Sequence, residues 1–327
     1  MTELITFGEG MIRLSTSGFQ RIEQGSCLNL NVGGSELNVA VVAARLGLTT
    51  KYVTRLTRNA LGRLIEDRVR EHGVDTSEII WTDSARVGAY FLEFGAAPRA
   101  NSVIYDRENS AIALIQPNEV DWAPILEGAK LFHTSGITPA LSASAAETTR
   151  AAIRSAQDLG IKVSLDLNYR ARLWSREQAR NVMEELTSTV NILITTEEDT
   201  KLVFGIEAES YEAVAQALAD RFDLEVVAIT LRDTPSVWRN RWTAIAFAGG
   251  EIHHTHTYEI EVVDRVGSGD SFAGGFLYGL LRKDVAAALE YGVAVSALKQ
   301  TSPGDLCWAT LDEVERLLGS RSLRIVR

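Results

Sequence analysis

The run Asp264-Arg265-Val266-Gly267-Ser268-Gly269-Asp270-Ser271-Phe272-Ala273-Gly274-Gly275-Phe276 sets a carboxylate at the mouth of a glycine-rich helix start, a combination suited to phosphoryl transfer. The preceding Tyr258-Glu259-Ile260-Glu261-Val262-Val263 reads as a strand, and Phe272, Phe276 and Leu280 recur at the spacing of a helix face. Small residues at 267 to 269 let backbone N–H groups approach an anion, and the helix dipole adds partial positive charge at the same point. Asp270, in the first helical turn, is placed to take a proton from a hydroxyl. The N–H groups of Gly267, Ser268 and Gly269 would then stabilise charge on a transferred phosphoryl group. Taken alone, the Gly-Ser-Gly-Asp run equally describes a loop followed by an Asp cap. It is not a Walker loop, since no Gly-Lys-Ser/Thr follows. Nor is it a dinucleotide fingerprint, since no second βαβ unit's worth of chain lies behind it.

Other residues could share this chemistry. Gly33-Gly34-Ser35-Glu36-Leu37-Asn38 reads as a glycine turn opening a helix that closes at Gly47; a tight turn with a Ser cap explains it as well as a ligand role does. Tyr105 and Arg107 alternate, so they share one face of a strand while Asp106 points away. Their bland alternatives are packing for the tyrosine and a surface position for the arginine. Arg170 follows Asp166 and Asn168 directly after an apolar strand, close to that strand's carboxyl end. A planar guanidinium suits a carboxylate better than an ammonium does. In His253-His254-Thr255-His256, alternation sets His254 and His256 on one face, but no acid or cysteine spacing completes a metal site, and solvated histidines on an edge strand are expected.

These residues need a frame that brings them together. Strands are expected at Leu4–Gly8, Lys51–Leu56, Leu131–Thr134, Lys162–Leu165, Ile192–Thr195 and Val226–Thr230, with helical stretches such as Gly62–His72 and Ala145–Leu159 between them. Such alternation predicts an α/β fold with a mainly parallel sheet and helices on both faces. Ligands bind beyond the carboxyl ends of such strands, where Thr134, Asp166, Asn168, Thr196 and Asp264 fall. Val87–Phe94 and Ser102–Tyr105 interrupt the alternation and read as a β-rich lid. The expected division is 1–11, 32–85 and 116–327 for the large domain, with 12–31 and 86–115 forming the lid.

At 327 residues the chain exceeds one compact unit, and 46% apolar residues can fill such a core. A net charge of −10 argues against broad contact with nucleic acid but allows a local basic pocket. Cys27 and Cys307 match no metal-ligand spacing and are expected as buried thiols in a reducing cytoplasm. No run reaches the roughly 20 apolar residues of a membrane helix, and the N-terminus lacks an export pattern, so a soluble protein without a membrane partner is expected. The six tryptophans read as packing.

The 264–276 run resembles the C-terminal signature of the ribokinase family of sugar kinases, Asp-Thr-x-Gly-Ala-Gly-Asp before a small-residue helix. Arg265 stands where that family usually has Thr, and Ser268 where it has Ala. Gly33–Asn38 is similar to the family's Gly-Gly-x-x-x-Asn element, so both motifs occur in the expected order and the resemblance spans essentially the whole chain. Tyr90-Phe91-Leu92-Glu93-Phe94-Gly95, Pro98-Arg99, Tyr105–Ala111 and Asp166–Trp174 are similar to segments of 2-keto-3-deoxygluconate kinases. The resemblance implies a ribokinase-like fold and transfer of phosphate from ATP to the 6-hydroxyl of a keto-acid sugar. It implies Asp270 as base and Gly34, Asn38, Tyr90, Tyr105, Arg107 and Arg170 as substrate contacts, with Asp305 a late contact or a turn residue. The substrate's permanent carboxylate demands positive charge, which Arg107 and Arg170 supply.

On the nucleotide side the resemblance implies Mg²⁺, with Asn168, Thr196, Arg232, Gly267 and Gly269 near ATP, and it leaves a monovalent cation open. Many family members carry Asn-x-x-Glu where this chain has Thr196-Glu197-Glu198-Asp199, so Asp199 would support Mg²⁺ through water. Leu231-Arg232-Asp233-Thr234-Pro235-Ser236 occupies the place of a Gly-x-x-Gly turn. Ala294 and Ala297 on the helix Ala286–Lys299 would wall an adenine pocket, although helix packing explains small residues there as well. Two other readings stay open, a kinase of fructose or another neutral sugar and a sugar sensor that no longer transfers phosphate; a nicotinamide oxidoreductase rests on Gly8-Glu9-Gly10 alone, a match too weak to hold. A homo-oligomer through an exposed lid edge is also expected.

Overall fold

The computed structural model describes residues 2–320. Among the described residues fourteen strands divide between two sheets. In the large sheet, β1 (Leu4–Phe7), β4 (Thr50–Thr57), β5 (Ile79–Thr82), β8 (Leu131–Ser135), β9 (Lys162–Asp166), β10 (Ile192–Thr196) and β11 (Val226–Ser236) run parallel in the order β11-β10-β9-β8-β1-β4-β5. An antiparallel edge of β12 (Arg239–Ala248), β13 (Glu251–His254) and β14 (Tyr258–Glu261) follows β11. The parallel strands are apolar on both faces because helices cover both. Ile5, Phe132, Val163 and Leu193 pack with the helices Ala143–Asp158, Arg176–Thr187 and Tyr211–Phe222. Their neighbours Leu4, Leu131 and Ile192 pack on the other face with Ser35–Arg45, Ser268–Arg282 and Val285–Gln300.

The smaller sheet has the order β3-β2-β6-β7, from β2 (Met11–Ser15), β3 (Asn29–Gly33), β6 (Gly88–Glu93) and β7 (Ser102–Asp106). Pairing places Asn31, Arg13, Tyr90 and Tyr105 in one row across it and Leu30, Leu14, Phe91 and Ile104 in the adjacent row. Adjacent rows face opposite ways, so the polar row meets the large domain while Leu30 and Ile104 remain exposed.

Two local expectations are corrected. The segment Leu231–Ser236 is the continuation of β11, turning at Val237-Trp238 into β12, because residues from Leu231 to Asp233 pair with Thr243 to Arg241 across a long hairpin. Cys27 is exposed, since it lies in the connection between the single turn Ile22–Gln24 and β3 of the small sheet; Cys307 is buried as expected. The histidines sit at the sheet edge, His254 on β13 near Glu212 and His256 beyond it, 3.3 Å from Glu290.

Candidate active site

Each element delivers its residues to one cavity of about 580 Å³ at the carboxyl ends of β9, β10 and β11, roofed by the small sheet. The helix Ser268–Arg282 begins there with Gly267 as N-cap at φ +84°, and Asp270 falls in its first turn. Only glycine fits at 267: the left-handed backbone disfavours a side chain, and a Cβ would collide with the Asp305 carbonyl oxygen. The Ser268 N–H donates to the Arg265 carbonyl at 3.2 Å, so that donor is engaged in the turn. The anion-binding donors left at the helix start are those of Gly267, Gly269 and Asp270.

The Asp270 carboxylate is fixed from both sides. Ser35 Oγ donates to Oδ1 at 2.8 Å and Asn38 Nδ2 donates to Oδ2 at 2.6 Å. Asn168, held at φ +37° just past β9, donates through Nδ2 to Ser35 Oγ at 3.1 Å. The glycine-turn helix and the strand-end loop therefore converge on the one candidate base. Burial pushes the Asp270 pKa up, only partly offset by the bonds from Asn38 and Ser35, which favour the charged form.

Below Ser35, the Glu36 side chain points away from the cavity. Its Oε1 accepts from the Ser135 N–H (2.9 Å), Ser135 Oγ (2.7 Å) and Thr138 Oγ1 (2.8 Å), whereas Oε2 is buried without a partner. Burial raises this carboxyl to about 7.

On the small-sheet side, Gly34, Tyr90, Tyr105, Arg107 and Asp305 line the cavity together with Arg170. Arg107 is buried, bonded to the Glu9 carboxylate, and lies 5.6 Å from the Tyr105 ring centroid. Ser110 Oγ also donates to Glu9, at 2.5 Å. Arg107 is thus already matched by an acid that its sequence context did not reveal. Arg170 is exposed and its side chain makes no ion pair or hydrogen bond among the described residues. Asp305 is no surface turn residue: it is buried, accepting from Tyr90 Oη and, at 2.9 Å, from Arg13 Nη1.

Thr196, Asp199, Thr230, Arg232 and Arg265 line the opposite wall. Thr196 Oγ1 is occupied as the cap of the helix Glu197–Phe204, accepting from the Asp199 N–H at 3.0 Å. Arg265, which replaces the expected Thr, donates to the Val237 carbonyl at 2.7 Å; burial and then the neighbouring Arg232 lower its pKa, the mark of two guanidinium groups set close together on this wall. Ala294 and Ala297 do not line the cavity. Both are buried in the core, where the helices Ser268–Arg282 and Val285–Gln300 press so closely that a Cβ on Gly275 or Gly292 would overlap the facing helix. The small residues there serve helix packing.

Burial pushes up both Asp166 and Asp199, with Asp270 and Asp199 adding to the rise at Asp166. Carboxylates so arranged fit a divalent cation. Among the described residues no group of three or more His, Cys, Asp or Glu forms a cage, so such an ion would draw most ligands from water and phosphate oxygens, as Mg²⁺ does.

The fold agrees with what the chain is similar to. Residues 1–308 match the model of the pfkB family carbohydrate kinases. The protein belongs to this family and is a carbohydrate kinase. It is 42% identical over 317 residues to 2-dehydro-3-deoxygalactonokinase of Haloferax volcanii, covering 97% of this chain and 96% of that protein. It is 31% identical over 321 residues to 5-dehydro-2-deoxygluconokinase of Shouchella clausii, covering 97% and 95%. The crystal structure of 2-dehydro-3-deoxygluconokinase from Thermotoga maritima superposes with a TM-score of 0.94 at 41% identity, covering 97% of this chain and 98% of that one.

Arg13, Glu9, Ser35, Glu36 and Arg265 escaped the sequence reading as site residues. Ser35 and Glu36 lie inside a motif that was legible, and Arg265 was visible as a departure from the family signature. Arg13 and Glu9 carried no signal, because their partners lie roughly a hundred to three hundred residues away.

Proposed function

We propose that this kinase transfers the γ-phosphoryl group of ATP to the 6-hydroxyl of a 2-keto-3-deoxy sugar acid of the gluconate or galactonate series. Arg170 carries the reading: it offers a guanidinium without an ion-pair partner in the cavity that holds Asp270, whereas Arg107, which also lines it, is already matched by Glu9. The names of the relatives above, all of them sugar-acid kinases, support it.

In this reaction Asp270 takes the hydroxyl proton as the sugar oxygen bonds to the γ-phosphorus and the bond to the β-phosphate oxygen breaks, releasing ADP. The N–H groups of Gly267, Gly269 and Asp270 stabilise the charge on the phosphoryl oxygens. Arg232 and Arg265 hold the nucleotide phosphates. Asp166 and Asp199 would hold Mg²⁺ through water, and that ion, when bound, neutralises charge on the phosphate chain. The small sheet acts as a lid that excludes water, so that the sugar hydroxyl, not water, is the acceptor. A second copy of the chain covers the sheet's outer row, giving a homo-oligomer, and free thiols at Cys27 and Cys307 fit a reducing cytoplasm.

ADP release with ATP and Mg²⁺ tests this. 2-keto-3-deoxygluconate, 2-keto-3-deoxygalactonate, 5-dehydro-2-deoxygluconate, fructose and ribose are compared in parallel. Turnover restricted to the 2-keto-3-deoxy acids is the expected result. Preference for a neutral sugar would refute the carboxylate role of Arg170 but keep the kinase, and ATP binding without turnover on any substrate would replace transfer by sensing.

A further inference from the structure

Arg13 lies on β2, in the row of the small sheet that faces the large domain, and is 1% exposed. Its guanidinium straddles two carboxylates of the large domain: Nη2 donates to Asp264 Oδ2 at 2.5 Å and Nη1 to Asp305 Oδ2 at 2.9 Å. Those two residues flank the glycine loop. Asp264 Oδ1 accepts from the Val266 N–H at 3.0 Å, Oδ2 also accepts from the Gly304 N–H at 3.1 Å, and the Asp305 carbonyl abuts Gly267. The buried Lys299 ammonium donates to the Asp264 carbonyl at 2.9 Å. Phe94, also of the small-sheet region, covers the guanidinium, its ring centroid 5.4 Å away. Burial works against the charge on Arg13, but Asp305 and Asp264 outweigh it and its pKa is raised, so the cation persists.

We infer that Arg13 is a positioning residue through which the small sheet sets the geometry of the phosphoryl-binding loop. With the sheet seated, one planar fork holds Asp264 and Asp305 at fixed separation, and Asp264 in turn fixes the Val266 amide at the entry to Gly267. With the sheet withdrawn, two buried carboxylates face each other without that cation and lose the constraint on the loop. The loop is therefore complete only when the sheet covers the substrate, and by linkage a ligand that orders the loop also favours the seated sheet. A lysine preserves the charge but lacks the rigid fork with which Nη1 and Nη2 each hold one acid, so it does not fix their separation in the same way.

The inference rests on the kinase reading for its substrate, and the test separates the two. The full chain is compared as wild type, Arg13→Lys, Asp264→Asn and the double variant, by steady-state kinetics with the preferred sugar acid and by hydrogen exchange of the ATP-bound protein. The expected result for Arg13→Lys is a fall in kcat of at least about tenfold with KM for ATP changed less than about threefold, and faster exchange at amides 264–270. The double variant should lose no more than the worse single variant, because Arg13 acts through Asp264. Wild-type kcat and unchanged loop exchange in Arg13→Lys would overturn the inference, as would losses that multiply in the double variant. If the wild type turns over no sugar acid, the substrate reading fails while the exchange arm still decides the role of Arg13.

Discussion

Asp270, the proposed base, has neighbours that compete over its charge. Burial favours the neutral acid, whereas the bonds from Asn38 and Ser35 favour the carboxylate, and the net shift is upward. A base must be ionised to act, so kcat/KM should fall as pH drops through a value above the ordinary aspartate range; Asp270→Asn should abolish that limb and lower kcat at least about 10²-fold with the melting temperature little changed. A limb at the ordinary aspartate position would show that the carboxylate is solvated in the working enzyme. Glu36 makes an opposite kind of prediction, about stability. Its folded pKa of about 7 exceeds the ordinary value of 4.5, so the folded state binds the proton more tightly. The stability this residue contributes is fully present below the unfolded value and is lost as pH rises through the folded one. Glu36→Gln keeps an acceptor for Ser135 and Thr138 while removing the charge. Its melting temperature relative to wild type should rise between pH 5 and pH 8; a constant difference would place the carboxylate in water.

At the scale of elements, the start of the helix Ser268–Arg282 and the end of β9 bring the candidate residues together. Gly267→Ala introduces a side chain at φ +84° against the Asp305 carbonyl, a strain of about 1–3 kcal/mol. Thermal melting should show the loss, and kcat should fall with it, since the same backbone presents the anion-binding donors. Unaltered kcat in this variant would mean that the loop does not contact the transferred group. Past β9, Arg170→Met removes the proposed charged hydrogen-bond partner of the sugar acid, with an expected loss of about 1.5–3 kcal/mol, or roughly 10- to 150-fold in its KM. The KM for ATP should change little; an equal rise in both would place Arg170 on the nucleotide. Much of this level was readable: the strand and helix around Asp270 and the strand ending at Asp166 follow from apolar periodicity and glycine. The β11–β12 hairpin was not, because Pro235 and the polar run from Arg232 to Ser236 look like a loop when the pairing strand is out of view.

Across the whole molecule, the small sheet is where local pattern and assembly meet. Its outer row, Leu30, Leu14, Phe91 and Ile104, is apolar, with Leu30 at 47% and Ile104 at 56% exposure, and the outer sides of its edge strands β3 and β7 have no partner strand among the described residues. A second copy laid on this row would bury it, so sedimentation should report a dimer, and Ile104→Glu should shift the protein toward monomer. A monomeric wild type would leave the row bare and refute the contact. The same sheet carries Arg13 on its inner side, so assembly and loop geometry meet on opposite faces of one element.

The sequence by itself determined the alternation that makes a parallel sheet, the glycine loop with its carboxylate, and the family signatures at either end of the chain. These are local patterns: periodicity, turn chemistry and short motifs are written in neighbouring residues. Only tertiary structure decided that Ser35, Asn38 and Asn168 converge on Asp270, that Glu9 matches Arg107, and that Arg13 binds Asp264 and Asp305. An ion pair between residues 251 positions apart leaves no trace in spacing. Arg13, between apolar neighbours on a short strand, looks like any surface arginine until folding brings two buried acids to it and removes the water that would have screened them.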